Sequence, residues 1–234
     1  MALMPRLWLV TGLLLALVEA GPAAAEALGT VAWLGAVVSG AGALAWARAP
    51  ARRSLLWAYV IPLATWAYIE PLVTSVGVTH GKLLPAAAAL AIAFSGSEAA
   101  CGVVAAIYTL AGLAKVLGAG AGFVDPEYLG TLILERSFYV PTALSSVRLY
   151  LAESRPLLVA LSVGTLVVEL GGAFFVLPRF RRPLAVCNIA MHAGIAVAMG
   201  YVYVQWACVV AGLAALPILS PSRPNHTTGT PADG

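Results

Sequence analysis

Charged residues are scarce in this chain. Asp, Glu, Lys and Arg make up only 10% of its 234 residues, whereas 61% are hydrophobic, and the mean hydropathy is +0.93. A soluble domain of this size does not keep such a balance in solution, so the scarcity of charge predicts a polytopic membrane protein. Nucleic-acid binding is not expected, because the basic residues behind the net charge of +3 gather in short clusters between apolar runs.

Cysteine is also rare. Cys101, Cys187 and Cys208 all lie inside apolar segments, without a C-x-x-C or metal-ligand spacing. This pattern predicts small buried hydrophobic residues and excludes a disulfide framework. No spacing of His, Cys and acidic residues supplies a full set of ligands, so no metal is predicted. The sequence shows no internal repeat and no soluble second domain.

Apolar runs between helix-breaking residues predict an all-α transmembrane bundle. We expect about six to eight crossings in one domain, residues 1–219, followed by a disordered polar tail, residues 220–234. The run at 83–94 is too short to cross upright and is expected to be a short or re-entrant helix. Gly200 is the expected break in the long stretch 183–219. The candidate spans lie near 7–25, 28–46, 54–78, 83–94, 99–118, 157–177, 183–199 and 202–219.

The first apolar run permits two interpretations. Met1 to Arg6, the run LWLVTGLLLALV and the small residues through Ala25 have the three parts of a secretory signal. A second apolar run follows almost at once, so the pair equally predicts a helical hairpin that stays in the membrane.

The basic residues predict the orientation. By the positive-inside rule, their side of the bundle and both termini are expected in the cytoplasm, with the bundle in the plasma membrane. The segment 119–156, with charges of both signs, then faces outward and is long enough to hold interfacial helices and to bind a peptide or secreted protein. The basic groups on that side are Arg6, the cluster Arg48, Arg52 and Arg53, and the cluster Arg179, Arg181 and Arg182.

Two ionisable residues lie deep in neighbouring apolar runs. Glu169 and His192 are each ten residues from the nearest arginine of the basic turn between those runs. Ten helical residues rise about 15 Å, half of a hydrocarbon core about 30 Å thick. Ionisable groups at that depth are costly and usually functional. Asn188 lies one turn before His192, so the spacing predicts a carboxylate–imidazole–amide cluster that lines a pocket.

Lys115 lies near the end of another apolar run. It shares a helix face with Tyr108 and Cys101, each seven residues apart, and Gly112 one turn earlier leaves room beside it. One interpretation is a lysine that only extends to the interface, and the other is a base in a pocket. Glu70 reaches a similar depth before Pro71 and is expected to pair with Lys115 or to hold the bundle together.

Several of these residues follow one another in a recognisable order. Ala111-Gly112-x-x-Lys115, Glu169-Leu170-Gly171-Gly172, Arg179-x-Arg181-Arg182 and then His192 resemble the HTTM family, the membrane domain of vitamin K-dependent gamma-glutamyl carboxylases. The resemblance covers roughly residues 99–219. It implies that Lys115 is the base that starts oxygenation of a reduced quinone of the vitamin K or menaquinone type. It also implies pocket-lining positions for Glu169 and His192.

Three functions remain open at this point. The first is a quinol-using membrane enzyme of the carboxylase type, with Lys115 as the base and Glu70, Tyr108, Glu169, Asn188 and His192 in the pocket. The second is a non-catalytic component that assists a redox or secreted protein, because the small DoxX and MauE-like membrane families share the same loose motif. The third, a proton-coupled carrier, depends only on the depth of Glu169 and His192 and lacks the expected inverted repeat.

Overall fold

The structure is a computed structural model that describes residues 3–28, 30–62, 80–139 and 143–216. All regular secondary structure in these ranges is helical, as the composition predicts. The helices are α1 (Leu3–Leu28), α2 (Thr30–Arg48), α3 (His80–Phe94), α4 (Ser97–Ala119), α5 (Pro126–Tyr139), α6 (Ser145–Glu153), α7 (Arg155–Gly171), α8 (Pro178–Met199) and α9 (Val204–Ala215). Short 3-10 segments lie at Arg53–Leu56, Gly120–Val124 and Gly172–Val176. The predicted disordered tail and most of the predicted span 54–78 lie outside the described residues.

Three stretches in the described ranges are long and apolar enough to cross a membrane. They are Ser97–Val124, Arg155–Val176 and Pro178–Met199, which contain α4, α7 and α8. Two shorter apolar helices, Leu84–Phe94 and Val204–Ala215, accompany them. These helices therefore support the sequence prediction of a membrane-embedded helical protein.

The first helix belongs to the core of the bundle. It packs against α2, α3 and α9, and the contact with α9 is the closest because glycines face it on both sides. A Cβ on Gly12 would lie 2.7 Å from the carbonyl oxygen of Gln205, and one on Gly212 would lie 2.6 Å from Leu9. Small residues allow such close backbone approach. The adjacent packing of α1 and α2 agrees with the hairpin interpretation.

Glycines mark the ends of two predicted runs. Gly96 separates α3 from α4 with φ of 98°, and Gly200 ends α8 with φ of 76°. Both values lie in the left-handed region that residues with a Cβ rarely adopt. The predicted break at Gly200 is confirmed.

The predicted start of α8 is wrong. The basic residues were expected in a turn before a span at 183–199, but α8 begins at Pro178 and includes them, with Pro183 inside the helix. Pro178 at the first turn suits a helix start because its missing N–H has no partner to lose there.

The predicted burial of the three cysteines is only partly correct. Cys101 and Cys208 are buried as predicted, but Cys187 is exposed, because it lies on the outer face of α8.

Contacts gather the basic residues at one end of the bundle. The guanidinium of Arg6 donates to the carbonyl oxygen of Ala47 at the end of α2, at 3.3 Å. The guanidinium of Arg53 lies against Gly96, at the start of α4. Arg181 forms an ion pair with Glu98 in the first turn of α4 and also donates to the carbonyl oxygen of Phe175, at 3.2 Å. We call this the basic end.

The opposite end carries α5 and α6, which were predicted as interfacial helices over the bundle. They pack on each other and on α7 and α8. Arg148 of α6 is fully buried, and its Nε donates to the carbonyl oxygen of Val197 in the last turn of α8, at 3.0 Å. A cation there satisfies a carbonyl that the helix end leaves without an intrahelical partner and also opposes the negative end of the helix dipole.

Candidate functional site

A cavity of about 730 Å³ opens between α4, α7, α8 and the start of α9. Most of its wall is apolar or aromatic, and two pairs of polar side chains project into it. This composition is typical of a site for an apolar molecule with a few polar atoms. The cavity is lined by Ile107, Tyr108, Leu110, Ala111, Ala114, Lys115, Ala119, Phe123, Tyr128, Glu169, Met191, His192, Ile195, Tyr203 and Trp206.

The first polar pair is Lys115 with Glu169. The Nζ of Lys115 donates to both carboxylate oxygens of Glu169, at 2.5 and 2.7 Å. Glu169 is 6% exposed, whereas Lys115 is partly open and also lies 5.6 Å from the centre of the Phe123 ring. A carboxylate this deep in an apolar bundle needs its counterion, so the pair is held as a unit.

Two glycines bring α7 close enough to α4 for this pair to form. A Cβ on Gly112 would lie 3.1 Å from the Cβ of Glu169, and one on Gly172 would lie 2.6 Å from the Cβ of Tyr108. The sequence interpretation of Gly112 as a space-maker beside Lys115 is therefore correct. The space admits the helix that carries Glu169.

The second polar pair is Tyr108 with His192. The Tyr108 hydroxyl lies 2.7 Å from Nε2 of His192, in a hydrogen bond whose donor depends on the tautomer. Trp206 meets both rings, with centroids 5.9 Å from Tyr108 and 5.5 Å from His192, and Tyr203 lies 5.4 Å from His192. These edge-on and tilted contacts fix the orientation of the imidazole at the cavity wall.

The predicted partners are only partly correct. Lys115 and Tyr108 share the cavity face of α4 as expected, whereas Cys101 is buried outside the cavity. Lys115 pairs with Glu169, and its other predicted partner, Glu70, lies outside the described residues. Of the predicted carboxylate–imidazole–amide cluster, Glu169 and His192 line one cavity but bond to Lys115 and Tyr108 of α4, whereas Asn188 does not line it.

Asn188 lies one turn before His192 but outside the cavity. It is 1% exposed, and neither its Nδ2 nor its Oδ1 has a hydrogen-bond partner among the described residues. Nδ1 of His192 likewise has no partner there. Buried polar atoms without partners are costly, so this stretch of α8 calls for a hydrogen-bonding molecule beside it.

Sequence reasoning missed the aromatic wall of the cavity. Phe123 and Tyr128 come from the 3-10 segment and α5, which were treated only as an outward surface. Tyr203 and Trp206 follow the Gly200 break directly, and that proximity was the available signal. Among the described residues, no group of three or more His, Cys, Asp or Glu side chains is placed to hold a metal ion.

Comparison of the chain with protein-family models, curated proteins and solved structures gives no match in any of the three. The likeness to the HTTM family and to DoxX-like proteins therefore stays a prediction from the motif alone.

Proposed function

We propose that the cavity binds a reduced quinone or a similar flat hydroxy-aromatic molecule from the membrane, and that the Lys115–Glu169 pair removes a proton from its hydroxyl group. The observation that supports this most directly is an ion pair at the wall of an otherwise apolar and aromatic cavity. A quinol needs an apolar slot for its ring and polar groups for its oxygens, and both are present.

The ion pair divides the chemistry between its two members. An ammonium paired with a carboxylate already holds its proton, so Glu169 is the group that accepts the hydroxyl proton. Lys115 then stabilises the oxyanion that remains, beside a wall that is mostly apolar. This assignment differs from the one implied by the family resemblance, in which Lys115 alone is the base.

The membrane provides the access route. A second apolar groove of about 330 Å³ lies on the outer face of α7 and α8 and shares Met191 and Ile195 with the cavity. Thr165, Gly164 and Gly194 also line it. Flat apolar molecules dissolve in lipid, so a ligand passes between α7 and α8 by displacing these two flexible side chains. A long apolar chain on the ligand would rest in the groove.

Binding and deprotonation are tested together on protein purified in mild detergent. Mass spectrometry of co-purifying lipids should show a quinone in the wild type, and a reduced menaquinone analogue should bind and shift to its anion absorbance. Glu169→Gln should bind the analogue without forming the anion, because the amide does not accept the proton. Lys115→Met should also lose the anion. Absence of binding by the wild type, or anion formation unchanged in Glu169→Gln, would overturn the proposal.

Exposed aromatic and aliphatic side chains on α5 and α6 favour a second candidate, a non-catalytic partner of a redox or secreted protein. Phe138 on α5 is 90% exposed, and Leu149 and Tyr150 on α6 are also exposed. Such a patch suits a protein partner. Crosslinking from a photoreactive residue at Phe138, compared with one at lipid-facing Val186, distinguishes the two. A specific protein adduct at Phe138, with no quinone in the lipid extract, would favour the second candidate.

We further propose that the basic end faces the cytoplasm and that the whole chain makes about six to eight crossings of the plasma membrane. The contacts that join Arg6, Arg53 and Arg181 to neighbouring helices at one end support the orientation. In a cysteine-free variant of the full chain, single cysteines at Arg52 and at Glu153 should react with an impermeant maleimide from opposite sides. Labelling of both from the same side would contradict it.

A further inference from the structure

The inward face of α8 carries an unusual sequence of polar groups. Its buried residues include Arg181, Ala185, Asn188 and His192, which recur every three or four positions and so form one stripe. His192 is at the cavity and Arg181 is at the basic end. Asn188 lies between them, seven residues or about 10 Å from Arg181 along the helix.

The stripe contains buried polar atoms without a hydrogen-bond partner among the described residues. Both side-chain polar atoms of Asn188 and Nδ1 of His192 are buried without a hydrogen-bond partner in the described part of the chain. The two side chains are one turn apart on the same face, the distance at which a single water bridges two polar groups. Buried water is placed where several otherwise unpaired polar atoms converge, and this stretch meets that requirement.

Further polar groups lie near both ends of the stripe. At the cavity, Nε2 of His192 is hydrogen-bonded to the Tyr108 hydroxyl, and Tyr108 and Glu169 both line the cavity. At the other end Arg181 is paired with Glu98, whose side chain is about half exposed. Glu98 lies in the first turn of α4, so α4 also lines this end of the stripe.

We propose that Asn188 and His192 hold ordered water between the cavity and the Glu98–Arg181 pair, and that this water carries protons from the cavity to the basic end. The source of the transported proton rests on the proposed function. Glu169 accepts a proton from the ligand hydroxyl and passes it to the Tyr108 oxygen. At the same time, the Tyr108 hydroxyl proton moves to Nε2 of His192. Nδ1 of His192 releases its own proton to the water beside Asn188. One proton enters and one leaves, and no electron is transferred.

Asn188 is a positioning residue in this scheme, since it touches the water and not the ligand. Its amide both donates and accepts, so it keeps a bridging water in place without itself changing charge. Ala185 is the small buried residue that lies between Asn188 and Arg181 on the same stripe.

The test uses nitrogen-15 histidine labelling of the full chain in nanodiscs, with His192→Gln to assign the His192 signals. Exchange of the His192 ring N–H proton with bulk water should be fast in the wild type. Asn188→Leu should slow that exchange by at least about tenfold, while Asn188→Ser, which still binds water, should keep it fast. Thr131→Val, a polar-to-apolar change at an exposed position of α5, is the matched control and should leave exchange unchanged.

Slow exchange in the wild type, or equal exchange in Asn188→Leu and the wild type, would overturn the water path whatever the ligand is. If Asn188→Leu does not fold, Ala185→Leu blocks the stripe from a neighbouring position and should slow exchange in the same way. The proposed function fails separately, through the absence of quinol binding. A path that exists without quinol binding would show as fast, Asn188-dependent exchange in a protein that binds no quinol.

Discussion

The carboxylate of Glu169 lies 2.5 Å from the Nζ of Lys115, across the contact between two helices that are remote in sequence. This ion pair joins α4 to α7 at the wall of the cavity. Its burial makes the stability of the bundle depend on both members being present or both being absent.

The first prediction concerns that dependence. Lys115→Met should lower the free energy of unfolding by about 3 kcal/mol, because it leaves a buried carboxylate without its counterion. Lys115→Met combined with Glu169→Leu should recover most of that loss, since two apolar side chains of similar size need no partner. Thermal unfolding in detergent measures both. Additive losses in the double variant would show that the two residues do not interact.

The second prediction concerns the close approach of α4 and α7. Gly172→Ala places a Cβ 2.6 Å from the Cβ of Tyr108, and neither atom can move without shifting a backbone. The change should lower stability by about 1–3 kcal/mol. Gly164→Ala in α7, which directly precedes the 3-10 segment that begins at Gly172, is the control, because a Cβ at Gly164 has no neighbour within 4 Å. Equal melting temperatures for the two variants would contradict this packing.

These contacts explain how much of the site the sequence can predict. Helical periodicity was enough to place Tyr108 and Lys115 on one face, because it depends only on positions within α4. Depth was enough to identify Glu169 and His192 as buried, and they are 6% and 8% exposed. Depth does not fix the direction in which a residue faces, so it did not predict that Glu169 pairs with Lys115 and His192 with Tyr108.

The partners depend on contacts between distant segments. Lys115 meets Glu169 because Gly112 and Gly172 let two helices approach closely, and a single sequence does not pair the glycines of different helices. Trp206 and Tyr203 were missed for the same reason: their place at the cavity depends on contacts between distant segments. The start of α8 was misplaced because Pro183 reads as a helix boundary, although α8 continues through it.

A third prediction tests the access route. Ile195→Trp should obstruct the passage between the outer groove and the cavity, since Ile195 lines both. Occupancy by a quinol analogue should fall, and the association rate should fall more than the dissociation rate rises. Val186→Trp, on the exposed face of α8 and outside both cavities, should have no effect. Stopped-flow binding provides the rates, and an unchanged association rate in Ile195→Trp would reject a route at this position.

The last prediction compares two arginines at the end opposite the basic residues. Arg148 is buried and donates to the carbonyl oxygen of Val197, whereas Arg155 forms an exposed ion pair with Glu127 at 3.1 Å. Arg148→Ala should lower the free energy of unfolding by about 2–3 kcal/mol, because the buried end of α8 loses a charged donor. Arg155→Ala should change the free energy of unfolding by less than about 1 kcal/mol, since water replaces an exposed partner.

Arg148→Lys should recover only part of the loss caused by Arg148→Ala, because an ammonium lacks the planar fork of the guanidinium. Thermal unfolding of the three variants measures these differences, and equal losses for Arg148→Ala and Arg155→Ala would show that α6 does not secure the end of α8.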